Sequence, residues 1–350
     1  MARKATTSDK ESGVVLVTGG SGYIGGWCVI RLLQEGYVVR TTVRSLAREA
    51  EVRARIAKVV DPGNRLSFHV ADLMADAGWD EATEGCDYVL HVASPLGVAE
   101  PKDPDELIVP AREGAKRAVR AAIKAGVKRL VLTSSVAAAG EGSKTDSLND
   151  EACWTEVDAP GVSAYQKSKT LAERAAWELI EAEGNGRTTL ATVNPTLVLG
   201  PVLAGDYSES VQVVERLLSG RVPGVPRLGF NIVDVRDVAD LHLKAMTAPE
   251  AAGQRFIAAG DYAWMGDLAD MMKAGLDPAH AAKVPTRKVP DLVVRLVGLF
   301  DRDLGSVASR LGRKRDFTSA KAQNLLGWRP RPTKETVLDC ARSLIAEGLV

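Results

Sequence analysis

The sequence predicts an α/β fold, a doubly wound parallel sheet covered on both faces by helices, joined to a smaller mixed C-terminal substrate lobe. Three observations carry that reading. Apolar, strand-like runs alternate with helical patterns from Val14 to Pro195. A glycine-rich turn follows the first of those runs. After Gly200 the alternation breaks and glycine and proline accumulate.

Residues 1–12 read as a loose polar tail. VVLVTGG (14–20) is a buried-strand run closed by glycines, and Ile24–Glu35 carries a helical pattern ended by Gly36. YVVRTTVR (37–44) is β-rich, and 45–60 is a charged helical stretch. LSFHVADL (66–73), DYVLHVAS (87–94), RLVLTSS (129–135) and TTLATVNP (188–195) are further strands, with helical patterns at 105–125 and 164–183. Parallel neighbours need a crossover helix, so six strands separated by helices imply a parallel sheet with both faces covered. FNIVDVRDVADLHLKAM (230–246) and QRFIAAG (254–260) read as a strand–helix–strand return to that sheet. The expected organisation is a dinucleotide-binding domain at 13–198 with a return segment at 229–261. Residues 199–228 and 262–350 form the substrate-binding lobe.

Lys plus Arg and Asp plus Glu each number 45, so the net charge is zero. Such a chain has no electrostatic footprint for nucleic acid or an anionic membrane. With 45% hydrophobic and 26% charged residues it is globular, and 5% aromatics leave little for base stacking. Cys28, Cys86, Cys153 and Cys340 form no CxxC, and the four histidines form no HExxH. Neither a metal site nor a disulfide framework is expected, and a reducing compartment is the default. No signal-peptide core and no run of roughly 18 apolar residues is present, so a cytoplasmic protein without a membrane partner is expected. A homodimer is compatible with the sequence, which leaves the oligomeric state open.

Gly19, Gly22 and Gly25 follow the first strand with GxxGxxG spacing, with Tyr23 and Ile24 between the last two. The first glycine permits a tight turn, the second a close phosphate approach, and the third close helix–strand packing. The helix N-terminus then faces the phosphates, which makes this a Rossmann-type dinucleotide site. An NAD-preferring site places an acid roughly 20 residues on, to bond the ribose 2′-hydroxyl. Arg44 stands 19 residues after Gly25 instead. A guanidinium suits a 2′-phosphate, so the expected cofactor is NADP(H), with Arg48 adding charge.

Tyr165 and Lys169 form a YxxxK pair, and Ser163 with Gln166 fits a capping box that puts Tyr165 in the first helical turn. At about 100° per residue Lys169 lies roughly 40° from Tyr165, on the face of Ala172, Ala176 and Leu179. Lys167, Arg174, Glu178 and Glu181 cluster on the opposite, solvated side. A lysine on the small apolar face needs a reason. Tyrosine ordinarily titrates near 10, too high for an efficient proton shuttle at neutral pH. A neighbouring ammonium favours the phenolate, so Tyr165 reads as the proton donor and Lys169 as its tuner. Thr133-Ser134-Ser135 ends a strand at the carboxyl edge, where a hydroxyl can donate to a developing alkoxide.

VTGGSGYIGGW, TTVRS, HVASP, KRLVLTSS, AYQKSK, NPTLVLGP and the later LLGWRPRPTKETV (325–337) together resemble the extended short-chain dehydrogenase/reductase family. Within it they are similar to the dihydroflavonol reductase and aldehyde reductase branch. The resemblance implies reduction of an aldehyde or ketone to the alcohol by hydride transfer from NADPH, on a small-molecule carbonyl substrate. It places the catalytic serine at Ser135, with Ser134 as the fallback, and has Lys169 bond the nicotinamide ribose. By the same resemblance Asp72 and Leu73 bracket the adenine, and Val92, Ala93 and Ser94 lie along the cofactor. Pro195, Leu197 and Val198 wall the carboxamide, and Ser210 reaches the phosphates. The alternative is a nucleotide-sugar epimerase or dehydratase of the same fold. Such enzymes commonly carry an acid after the second strand, a YG after the serine strand, or an acid pair after the catalytic hydroxyl. Arg44, Val136–Gly140 and Ser134-Ser135 occupy those places. A non-catalytic dinucleotide sensor is disfavoured because Ser135, Tyr165 and Lys169 are all intact.

Overall fold

The computed structural model describes residues 13–95, 101–140, 148–204, 208–222, 224–297 and 310–350. Its first half runs β1 (Val14–Thr18), α1 (Tyr23–Gln34), β2 (Val38–Val43), α2 (Glu49–Ala57) and β3 (Leu66–Val70). Then come α3 (Trp79–Thr83), β4 (Tyr88–His91), α4 (Asp105–Ala125), β5 (Arg129–Thr133) and the two-residue β6 (Leu148–Asn149). The second half continues with α5 (Ala164–Glu183), β7 (Thr189–Pro195), β8 (Leu197–Leu199), α6 (Glu209–Leu218), β9 (Gly229–Asp234) and α7 (Val235–Thr247). It is followed by β10 (Arg255–Ala258), β11 (Tyr262–Trp264), α8 (Met265–Gly275), α9 (Pro278–Ala281), α10 (Asp291–Val297) and β12 (Asp316–Phe317). Helices Ala320–Leu326 and Thr333–Ala346 complete the described chain.

Seven strands pair in the order β10-β7-β5-β4-β1-β2-β3, every pairing parallel. Alternation along the strands decides which residue faces which layer. Val15 and Val17 of β1 and Val131 of β5 join α1 and α7 in one core. Leu16, Leu130 and Leu132 point the other way, against α4 and α5. Those two helices meet the sheet through small residues, Ala111, Ala115 and Ala118 on one and Ala172 and Ala176 on the other. Because the sheet is parallel, Thr18, Val43, His91, Thr133 and Pro195 all end at one edge, where open α/β sheets take their ligands.

A three-stranded sheet, β11-β9-β8, carries the second lobe. Its core joins Leu199 and Ile232 to α6, α8 and helix Thr333–Ala346. The return to the main sheet differs from expectation here. β10 does line up beside β7, but β9 pairs parallel with β8. After Pro195 the chain leaves the main sheet, and β8, beginning at Leu197, pairs with β9 in a second sheet. The LLGWRP segment clamps α7: Trp328 is buried and its Nε1 donates to the Asp237 carbonyl over 2.9 Å. Arg331 ion-pairs with the Asp237 carboxylate. Among the described residues no helix is long and apolar enough to cross a membrane.

Candidate active site

The glycine-rich turn is fixed from beneath by hydroxyls. Thr41 Oγ1 donates to the Val17 carbonyl over 2.8 Å and accepts from Gly20 N over 3.1 Å. Thr42 Oγ1 accepts from Gly19 N over 3.1 Å. Gly19 has φ of +69°, and a Cβ there would stand 2.9 Å from Ala93 Cα. At Gly25 a Cβ would stand 2.3 Å from the Gly19 carbonyl oxygen, so the turn and helix can approach this closely only with glycine. Gly22 caps α1 without a side-chain bond, and no acid occupies the first turn. The leading amides of α1 are therefore left for an anion. This donor set fits a dinucleotide pyrophosphate. Arg55, only 5% exposed, donates to the Gly20 and Ser21 carbonyls over 3.3 and 2.6 Å and holds the turn from behind.

Thr18 ties that turn to the end of β4. Its Oγ1 accepts from Val92 N and Ala93 N, each over 3.0 Å, so its own proton points at His91 Nδ1, 2.9 Å away. Val92 and Ala93 are thereby held beside the turn. The Tyr23 hydroxyl donates to the Gly200 carbonyl over 2.8 Å, locking the turn to the NPTLVLGP loop. Ile24 packs against the core of α1 and α7.

At the far end of the edge, Arg44 is exposed and bonds to no described side chain. Arg48 is engaged instead by Glu51, through bonds of 3.0 and 2.8 Å. Asp72 Oδ1 accepts from Met74 N over 2.7 Å and closes a tight turn after β3. Leu73 packs over Gly114 of α4, where a Cβ would collide with it at 2.5 Å.

The capping box is present: Ser163 Oγ accepts from Gln166 N over 3.2 Å, and Gln166 Oε1 accepts from Ser163 N over 2.9 Å. It sets Tyr165 in the first turn of α5, half-buried. Lys169 is 7% exposed, and its Nζ donates to Ser94 Oγ over 3.0 Å while lying 5.9 Å from the Tyr165 ring centre. Burial pulls the Lys169 ammonium down to about 8, against the opposing pull of the Glu173 charge.

The two serines after β5 are not equivalent. Ser134 Oγ donates to Glu173 Oε2 over 2.5 Å. Ser135 Oγ only accepts, from Ala137 N over 3.1 Å, which leaves its proton available. Pro195 ends β7 at the sheet edge; Leu197 is half-buried and Val198 lies in the core. Ser210 sits in the first turn of α6, while Ser208, its N-cap, has a buried hydroxyl without a hydrogen-bond partner.

Two buried charges escaped the sequence reading. Glu173, 1% exposed, and Arg255, 8% exposed, pair over 2.7 Å behind the serines. A helical glutamate and a strand-end arginine ordinarily face solvent. The available clue was spacing, since Glu173 stands one turn after Lys169.

The model of the NAD dependent epimerase/dehydratase family matches residues 15–259. The chain belongs to that family. Among relatives of this extended short-chain dehydrogenase/reductase, cinnamoyl-CoA reductase 2 of Arabidopsis thaliana is 37% identical over 96% of this chain and 93% of its own. Dihydroflavonol 4-reductase of Zea mays is 33% identical, covering 100% of this chain and 93% of its own. The solved structure of yeast methylglyoxal/isovaleraldehyde reductase complexed with NADPH superposes with a TM-score of 0.79 at 29% identity, covering 96% and 100% of the two chains. A UDP-glucose 4-epimerase from Thermotoga maritima shares the fold at 20% identity and a TM-score of 0.72.

Proposed function

We propose that this protein is an NADP(H)-dependent reductase that converts a small aldehyde or ketone to its alcohol, with Tyr165 as proton donor. The observation that carries the proposal is the buried Lys169 ammonium, held at Ser94 beside the Tyr165 ring. NADPH, when bound, supplies the hydride for the carbonyl carbon. Tyr165 delivers the proton to the carbonyl oxygen, and Ser135 donates a hydrogen bond that stabilises charge growing there. In this reading the Lys169 cation favours the tyrosinate left behind and also bonds a ribose hydroxyl of the cofactor. Arg44, exposed and unengaged, is the group for a 2′-phosphate, and the amides opening α1 take the pyrophosphate.

Residues 13–198 with 229–261 serve the cofactor in this reading, and 199–228 with 262–350 shape the substrate pocket. Methylglyoxal and isovaleraldehyde, for which the yeast reductase is named, are small carbonyl compounds, which supports the assignment. The test offers purified protein and NADPH two panels at matched concentration, aryl and branched aliphatic carbonyl compounds against UDP- and dTDP-sugars. NADPH consumption confined to the first panel is expected. Conversion confined to the sugar nucleotides would replace the reductase by an epimerase or dehydratase.

A further inference from the structure

Behind Ser135 and Lys169 lies a polar cluster that the proposed chemistry does not itself use. Glu173 is wholly buried at its carboxylate. Its Oε1 accepts from Arg255 Nε over 2.7 Å, and Thr192 Oγ1 stands 3.0 Å away. Its Oε2 accepts from Ser134 Oγ over 2.5 Å and from Asn194 Nδ2 over 2.8 Å. Asn194 Nδ2 also donates to the Ser135 carbonyl over 3.1 Å. Arg255 then donates to the carbonyls of Glu151 and Cys153 over 2.7 and 2.8 Å and lies 3.8 Å over the Trp154 ring. One ion pair thus joins the Tyr165 helix, both serines, the end of β7 and the segment preceding the helix.

A buried ion pair is a poor way to gain stability, because desolvating two charges offsets most of their attraction. The hub nevertheless needs a carboxylate, since only an ionised one accepts from so many donors at once. Lys169 and Glu173 also line one small pocket with Ser94, His91 and Ser134. Other faces of that pocket bring no charge among the described residues. α4 contributes Ala111 and Ala115, β5 contributes Leu132 and Thr133, and His91 of β4 is held neutral by burial. Among the described residues the titratable groups facing Lys169 are therefore Tyr165 and Glu173 on α5 and the neutral His91 of β4, with Arg255 of β10 behind Glu173.

We propose that Glu173, counterbalanced by Arg255, is a positioning residue of the active site: it keeps Lys169 cationic and engages Ser134 so that Ser135 alone is free to donate. The proposal rests on the reductase reading for its purpose, yet its central consequence is electrostatic and can be read without turnover. Removing the Glu173 charge lowers the pH at which Lys169 deprotonates. Removing the Arg255 charge raises it, because the carboxylate then acts unopposed. A purely structural role for the pair moves neither midpoint in this opposed way.

The experiment follows the Lys169 side chain by NMR in cofactor-free protein labelled with ε-carbon-13 lysine, its resonance assigned by its loss in Lys169→Met. Glu173→Gln should move the titration midpoint down by about one pH unit, Arg255→Gln should move it up, and Glu173→Asp should restore it. In the same variants Glu173→Gln should lower kcat by about tenfold or more while the carbonyl KM changes less. If Glu173→Gln does not fold, the contrast between Glu173→Asp and Arg255→Gln carries the test. Midpoints that stay at the wild-type value, or that move in the same direction in both charge-removing variants, would overturn the proposal. A wild type that reduces no carbonyl would sink the reductase reading and leave the titration result standing.

Discussion

Lys169 and Ser94, 75 residues apart in the chain, meet through a 3.0 Å hydrogen bond from the ammonium to the serine hydroxyl. The bond joins the first turns of α5, which carry Tyr165, to the strand end beside the glycine-rich turn. Both halves of the proposed chemistry therefore share one cation. Since burial holds that cation at about 8, its charge is full below that pH and is lost as pH rises through it. NADPH affinity, read by fluorescence titration, and kcat/KM for carbonyl reduction should both decline above about pH 8. Affinity and rate that stay flat to about pH 10, where an unperturbed lysine titrates, would remove Lys169 from its role.

Arg44→Asp replaces a phosphate donor by an acceptor for a ribose hydroxyl. The variant should lose at least about tenfold in kcat/KM with NADPH and gain with NADH, the fold change corresponding to about 1.4 kcal/mol. Steady-state kinetics with both cofactors check it. A wild type that prefers NADH, with no change in the variant, would take Arg44 out of the site.

Much of this site is legible in the sequence because its parts obey local rules. GxxGxxG between a strand and a helix, and a lysine one turn from a tyrosine on an apolar face, each follow from the geometry of a single element. What escaped depends on contacts between distant segments. The partner of β9 could not be read, because alternation tells which face a strand buries and not which strand it pairs with. Nothing local to Tyr23 tells that Gly200, far along the chain, accepts its hydroxyl. Ser134 and Ser135 are chemically identical in the sequence, and only Glu173 separates them. Nothing local to Glu173 or Arg255 announces that each faces the other.

Two buried histidines set the acid limit of stability. His242 Nδ1 donates to the Val238 carbonyl over 2.8 Å, so its Nε2 accepts from Thr133 Oγ1 over 2.7 Å. Burial holds His91 at about 3 and His242 at about 4, both below the ordinary 6.5. As pH falls below 6.5 the unfolded chain takes up these protons first. Stability from this source is thus complete above 6.5 and is lost progressively toward pH 4 and 3. Each histidine contributes a slope of up to about 1.4 kcal/mol per pH unit. Thermal unfolding between pH 7 and 5 should show a falling midpoint, with a shallower fall in His242→Gln. An unchanged slope in that variant would contradict the assignment.

Tyr165→Phe keeps the ring and removes the proton. NADPH binding should stay within a few-fold of wild type, while kcat falls by about 10²–10⁴, the usual worth of general acid–base catalysis. Lys169→Ala should damage both affinity and turnover, because the ammonium serves both. Near wild-type turnover in Tyr165→Phe would mean that the proton comes from elsewhere.

In the proposed reaction hydride passes from the nicotinamide to a carbonyl carbon of a small substrate. The most direct measurement uses NADPH deuterated at the transferable ring position and mass analysis of the alcohol formed from a reducible aldehyde or ketone. One deuterium on the carbinol carbon per NADPH consumed is expected, with loss of this transfer in Tyr165→Phe. An alcohol that carries hydrogen from solvent at that carbon, or label that stays on the cofactor while substrate is converted, would contradict it.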